Sequence, residues 1–383
     1  MDDLLLEIVR PSVRLAPARL EQLAHRTAWM PFCARAHRTM LAPLVYDRLR
    51  RFAAMLPRDV VEWLRHQYYF SVGRNLSLLH HLREINAQLA RNGVSPLVLK
   101  GPGLAHFGMG VNLRLFGDVD ILVRREELRA VGAVLRALGY EKPGSAGHPY
   151  HVPYVRSDGG LATVVEVHFD LVDRVRGITP DVDGVRARAV SVEVSGCAMR
   201  VPGVADQFLL TTMQLGHHHW AARLLVDVAF LAARWACTVD WAAMLLKADA
   251  WGMGALARST LYVVSTLLGV SLPEQVARQV RPGGYARRVQ WLVAMAAALE
   301  QFRSPGGGIS WLAPYIVLDD VGRVPGLLVR RALFPNVYGP EGTGALSRGR
   351  RLLVVCSTLP ELLKMLWIGV DRRSVMRAAV PAE

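Results

Sequence analysis

Between about residues 17 and 92, apolar side chains recur at the three-to-four-residue spacing that draws a stripe along a helix. Pro57 suits a first helical turn and Gly93 suits a stop, so a long helix is predicted between them, inside a helical N-terminal layer covering residues 1–95. The pattern then changes. Pro96-Leu97-Val98-Leu99-Lys100 is a short apolar run of β character, closed by Gly101-Pro102-Gly103 and followed by a short helix expected over residues 104–109. Residues 117–123 alternate as a second strand, and residues 125–138 read as a helix with acids in the first turn and Gly139 at the end. Residues 151–156 and 163–171 read as strands joined through Ser157-Asp158-Gly159-Gly160, a hairpin-type turn. A further β-like stretch over 189–201 ends at Pro202-Gly203. Beyond it helical periodicity resumes to about residue 370, with loops at 304–308 and 338–344. The predicted class is α+β: a small mixed β-sheet core over 96–203, between the helical N-terminal layer and a mostly helical C-terminal half over 204–383.

Composition narrows the neighbours rather than the fold. With 52% apolar residues in 383, the chain can bury a sizeable core and is not a disordered polymer. The formal charge of +14 favours polyanions, nucleotides or an anionic surface. Nucleic acid is admitted as a partner without being favoured, because the arginines between 323 and 377 carry few interleaved aromatics for stacking and read equally as a solvated face. The aromatics at 311, 315, 334 and 338 are expected to pack C-terminal helices. Lysine occurs only at Lys100, Lys142, Lys247 and Lys364, so a lysine inside a motif stands out from an arginine background.

Cys33, Cys197, Cys237 and Cys356 lack metal-ligand spacing and are expected to be buried, reduced thiols. No basic segment followed by an apolar run opens the sequence, which makes the cytoplasm the default expectation. The apolar run over 352–359 is cut by Pro360, Glu361 and Lys364, well short of the roughly 20 residues that span a bilayer. A buried C-terminal helix is expected there, and no membrane span.

The candidate chemistry centres on Asp118 and Asp120. Residues two apart on a strand face the same way, so the pair presents two carboxylates together while Val119 and Ile121 pack on the other face. Oxygen pairs of this kind suit Mg²⁺, which takes one or two carboxylates plus substrate phosphates. A third acid is expected on a neighbouring strand, and Glu166 in Val164-Val165-Glu166-Val167-His168 fits, with His168 and Asp170 sharing its face. Upstream, Gly101 and Gly103 permit close backbone approach at a strand-to-helix turn, and Lys100 and Arg114 are candidate phosphate ligands. Each feature alone has a plainer meaning: a solvated strand end, an ordinary turn, half of a structural ion pair. Their order and spacing make a series that chance rarely assembles.

That series, with Leu138-Gly139-Tyr140, the upstream run from Arg38 to Tyr46 and the downstream run from His217 to Leu231, resembles a family of uncharacterised bacterial nucleotidyltransferases of the DNA-polymerase-β-type superfamily. The resemblance implies a metal-dependent transfer from an NTP, with ATP the expected donor, to an acceptor left open among small molecules, peptides or proteins, and RNA. It implies that Asp118 and Asp120 are metal ligands, Glu166 the third carboxylate and Gly101 a triphosphate contact; the leading reading of the residues adds Mg²⁺ or Mn²⁺ on that trio, Glu166 assisting acceptor deprotonation, and Lys100, Gly103, Arg114 and His168 holding the nucleotide. Where most superfamily members have Gly-Ser or Gly-Gly, this chain has Gly101-Pro102, which removes an N–H and a hydroxyl. Lys100 and Arg114 either make up for that loss or leave a nucleotide- or partner-binding module without turnover. Of His217, His218 and His219, consecutive positions cannot converge on one ion; one of them facing the nucleotide, or helix packing, are the open readings. Asp227 either holds an arginine or lines the cleft, and the resemblance favours the cleft.

Overall fold

The computed structural model describes residues 4–144, 149–157, 161–172, 177–218, 220–281 and 284–303, together with Val317 and Asp319. The expectations for the loops at 304–308 and 338–344, the arginines and aromatics beyond 310, the helix over 351–370, Cys356, His219 and most of the 157–160 turn lie outside these residues.

Four short helices, α1 (Leu4–Ile8), α2 (Pro17–Ala24), α3 (Trp29–Arg38) and α4 (Ala42–Leu49), lead through a 3₁₀ segment to the long α5 (Arg58–Arg91). At about 1.5 Å per residue α5 spans roughly 50 Å. It buries Val60, Leu64, Ser71, Asn75, Leu78, Leu82, Ile85 and Leu89, one stripe at helical spacing that includes two polar residues. It stops where Gly93 takes a left-handed φ of +72° and the Val94 N–H returns to the Leu89 carbonyl at 3.0 Å, a glycine-terminated cap.

The sheet contains β1 (Leu97–Leu99), β2 (Val119–Leu122), β3 (His151–Arg156), β4 (Thr163–His168), β5 (Val190–Val194) and β6 (Cys197–Val201), in the order β3-β4-β2-β1-β6-β5. It is mixed: β2 runs parallel to β4 and antiparallel to β1, while β1 runs parallel to β6. Helix α6 (Gly101–Phe107) leaves the end of β1, and α7 (Leu128–Ala137) lies in the crossover between β2 and β4. Strands β1 and β2 are buried at every position, so the centre of the sheet is covered on both faces. The β-like stretch over 189–201 resolves into two strands folded back on each other. Ser195 and Gly196, both at positive φ (49° and 76°), make the tight turn, as a twisted two-residue hairpin requires.

Helices α8 (Val182–Ala187), α9 (Val204–His217), α10 (Ala222–Trp235), α11 (Trp241–Ala250), α12 (Gly254–Leu268), α13 (Glu274–Val280) and α14 (Gly284–Arg303) complete the mixed α and β architecture. Among the described residues no helix is long and apolar enough to cross a membrane. Cys33 and Cys197 are buried free thiols, but Cys237 is exposed, contrary to the expectation of uniformly buried cysteines; it follows directly on α10, where the chain returns to the surface.

Candidate active site

Strand register assembles the acids. In the parallel pairing of β2 with β4, Asp120 stands opposite Glu166; in the antiparallel pairing of β1 with β2, Leu99 stands opposite Asp120. Lys100 therefore emerges beside Asp120, and Asp118 sits one residue before β2, two positions from Asp120. One carboxylate oxygen from each of Asp118, Asp120 and Glu166 lies within 4.8 Å of the others. Asp120 is only 1% exposed. Its Oδ1 takes a hydrogen bond from His168 Nε2 (2.9 Å) and an ion pair with Lys100, whereas its Oδ2 is buried with no hydrogen-bond partner. An anionic oxygen withdrawn from water with no donor is costly unless a cation completes it. The three carboxylates thus fit a hard divalent ion, with Asp120 buried and Asp118 and Glu166 half-buried.

Lys100 carries a φ of +52° and ψ of −119°, which L-residues rarely adopt. Such a conformation costs about 1–3 kcal/mol and persists only where surrounding structure holds it. Here the ammonium ends on the acids, paired with Asp120 and 3.4 Å from Glu166 Oε2. Burial alone would lower its pKa, but the charges of Asp120, Glu166 and Asp118 prevail and raise it. Burial and the negative charge of Asp120 push the Asp118 carboxyl up to about 6, against the pull of Lys100 and Arg223. Glu166 behaves oppositely: burial would raise it, yet the hydrogen bond from His168 and the nearby Lys100 and His151 hold it well below the usual carboxylate range. For His168, burial opposes the charged ring, but its bonds to Asp120 and Glu166 (3.2 Å) outweigh that and raise it.

Long-range contacts hold the loop before Asp118. Asn75 on α5, fully buried, donates from Nδ2 to the carbonyls of Val111 and Arg114 (2.6 Å each) and accepts the Phe116 N–H (2.8 Å). Its neighbour Arg74 donates to the carbonyls of Gly117 (3.3 Å) and Ala162 (2.7 Å), tying the entries of β2 and β4 to the same helix. Arg114, 4% exposed, donates from Nε to both oxygens of Asp227 on α10 (2.9 and 3.0 Å). Arg223, four residues earlier on α10 and so on the same helical face, lies in the field of Asp227, Asp118 and Asp120. Burial and Arg114 bring its pKa down to about 10. The two motif glycines are fixed by packing: a Cβ on Gly101 would stand 3.2 Å from the Phe116 ring, and one on Gly103 would stand 3.0 Å from Gln207 Oε1. Pro102 falls in the first turn of α6, where its missing N–H has no intrahelical acceptor to lose.

The structure thus brings Asp118, Asp120, Glu166, His168 and Lys100 together. It places Arg114 one layer away on Asp227, which holds an arginine as one of the two readings had it. Metal-capable groups of three among the described residues include neither His217 nor His218. Sequence reasoning passed over Asn75, Arg223 and His151. His151 is the Cα partner of His168, with its Nε2 3.7 Å from Glu166 Oε1. Carrying the register of the predicted 151–156 and 163–171 hairpin to His168 would have revealed it; Asn75 and Arg223 meet the site only through tertiary packing.

Comparison with known proteins adds a family. No curated protein matches the chain. Among solved structures, it is similar to an antigenic nucleotidyltransferase-like protein from Paracoccidioides brasiliensis, at 14% identity and a TM-score of 0.34, over 51% of this chain and 93% of that one. The family described as uncharacterised nucleotidyltransferase matches residues 25–269, a span that contains every site residue named above. On that match, the chain belongs to this family of uncharacterised nucleotidyltransferases.

Proposed function

We propose that the protein transfers a nucleotidyl group from an NTP, with ATP the expected donor, to an acceptor nucleophile, in the manner of the DNA-polymerase-β-type superfamily. The observation that carries this reading is the carboxylate trio Asp118, Asp120 and Glu166, in which Asp120 and Glu166 are register partners and Asp120 Oδ2 is buried without a hydrogen-bond partner. These three residues would hold Mg²⁺ or Mn²⁺, which supplies neutralisation of the triphosphate and a more acidic acceptor hydroxyl.

The remaining work falls to the chain. The acceptor oxygen forms a bond to the α-phosphorus as the α–β phosphoanhydride breaks and pyrophosphate leaves. The acceptor proton passes to a carboxylate of the site, with Glu166 assisting its removal. Lys100, paired with Asp120 and 3.4 Å from Glu166 Oε2, would supply its ammonium to the triphosphate. Arg223, half-buried beside Asp118, is a second cation for the departing pyrophosphate. Arg114, held by Asp227, positions the loop and contributes charge from behind.

The test is divalent-dependent pyrophosphate release from NTP by wild type and by Asp118→Ala and Asp120→Ala. Loss on the order of 10²-fold or more is expected in the variants. Equal release from all three would remove the assignment. A second reading, a module that binds nucleotide without turnover, is favoured by one observation: Gly101 and Gly103 are both committed to packing and Pro102 has no N–H to offer. It would show as calorimetric binding of ATP with no pyrophosphate from wild type across candidate acceptors.

A further inference from the structure

Behind the carboxylate trio lies a second cluster. His151 begins β3, His168 ends β4, and the two are Cα partners in the antiparallel pairing; Glu166, two residues before His168, projects to the same face. One potential ligand atom from each of the three lies within 4.8 Å of the others. His168 Nε2 is 3.2 Å from Glu166 Oε2, and His151 Nε2 is 3.7 Å from Glu166 Oε1. Both imidazoles are nearly fully buried (5% and 2% exposed), while Glu166 keeps an open side.

We infer that His151, Glu166 and His168 form a metal site of their own, selective for a borderline transition ion of the Zn²⁺ type over Mg²⁺. Geometry supports it: ligands about 2.1 Å from a tetrahedral ion are separated by about 3.4 Å, and the two imidazole–carboxylate distances bracket that value. Donor chemistry supports it as well. Two imidazoles and one carboxylate suit Zn²⁺ or Fe²⁺, whereas Mg²⁺ takes oxygen and holds its waters. The backbone supplies rigidity, because two paired strands fix the donors and β2 backs them through Asp120 opposite Glu166.

Glu166 belongs to both groups. Its Oε1 faces His151, and its Oε2 faces His168 and the Lys100–Asp120 side. Glu166 is therefore common to a nitrogen-rich group and the all-oxygen group of Asp118 and Asp120, which differ in metal preference. The ring of Tyr150, with its centroid 4.8 Å from that of His151 and 5.8 Å from that of His168, walls this end of the cluster. This inference goes beyond nucleotidyl transfer and stands whether or not the chain turns over an NTP.

The experiment uses the full chain, stripped with a chelator and equilibrated with Zn²⁺ in about a hundred-fold excess of Mg²⁺. Bound zinc is then counted by elemental analysis. Wild type and Asp118→Asn are expected to retain zinc, and His151→Asn to bind it on the order of 10–100-fold more weakly. Displacement of zinc by the Mg²⁺ excess, undiminished binding by His151→Asn, or loss in Asp118→Asn as large as in His151→Asn would each overturn the site. Because substitution of a buried histidine risks the fold, pulsed EPR of Cu²⁺-loaded wild type provides a reading without mutation. Imidazole nitrogen coupling is expected, and its absence would overturn the site. None of these readouts involves nucleotide, so failure here leaves the pyrophosphate assay to judge the transferase reading separately.

Discussion

At Lys100 a strained backbone and an ion pair meet in one residue. Its φ of +52° places the ammonium on Asp120 and Glu166, where a divalent ion would otherwise bind. Lys100→Met removes the competitor, so the nucleotide-free protein should bind Mn²⁺ several-fold more tightly than wild type, while nucleotidyl transfer falls about 10-fold or more through weaker NTP phosphate contacts. Calorimetry and initial rates check the two halves; weaker Mn²⁺ binding by the variant would count against the competition. Asp118 makes a second prediction. Its pKa, raised from 3.8 to about 6, means that the metal-free fold takes up a proton there before the unfolded chain does. The stability this group lends is therefore fully present below about 3.8 and is lost as pH rises through about 6. Metal binding has the opposite sign, because the ion needs the deprotonated carboxylate. The thermal stabilisation given by Mg²⁺ should accordingly grow over about a unit either side of pH 6, and Asp118→Asn should flatten that growth.

Individual elements act on the site through a few long-range bonds. Asn75→Ala strips partners from three backbone groups of the loop before Asp118, with an expected loss of roughly 2–4 kcal/mol in urea unfolding and a larger fall in transfer than in nucleotide affinity. Asp227→Ala leaves the Arg114 guanidinium buried without its anion, for about 3–5 kcal/mol, whereas Arg114→Leu with Asp227→Leu should cost clearly less than that single change. Additive losses from the pair would show that the two residues are not coupled. The same elements mark where the sequence was legible. The long α5, the short apolar β1, and the strands bearing Asp120 and Glu166 follow from periodicity and from proline and glycine at their ends. The pairing of Asp120 with Glu166 realises the expectation of a third acid on a neighbouring strand. Asn75 and Arg223 were hidden because a polar residue within a helical stripe looks the same whether it meets water or a loop far away in the chain. The 189–201 hairpin was read as one stretch because Ser195-Gly196 is a weaker turn signal than the glycine and proline clusters around it.

The whole chain carries 46 basic residues against 32 acidic ones, whereas the centre of the site is anionic. On the proposed function, the positive excess suits attraction of a triphosphate, and the carboxylates of Asp118, Asp120 and Glu166 would hold the cation that meets its charge. Helical layers before and after the sheet support that arrangement: α5 fixes the loop entering β2, and α10 delivers Arg223 and Asp227. The measurement that bears most directly on this account is pyrophosphate release from ATP, followed with and without Mg²⁺ or Mn²⁺ for wild type, Asp118→Ala and Asp120→Ala. The expected result is release that requires the divalent ion and falls on the order of 10²-fold or more in either variant. Release that is independent of the ion, or equal in all three proteins, would contradict it.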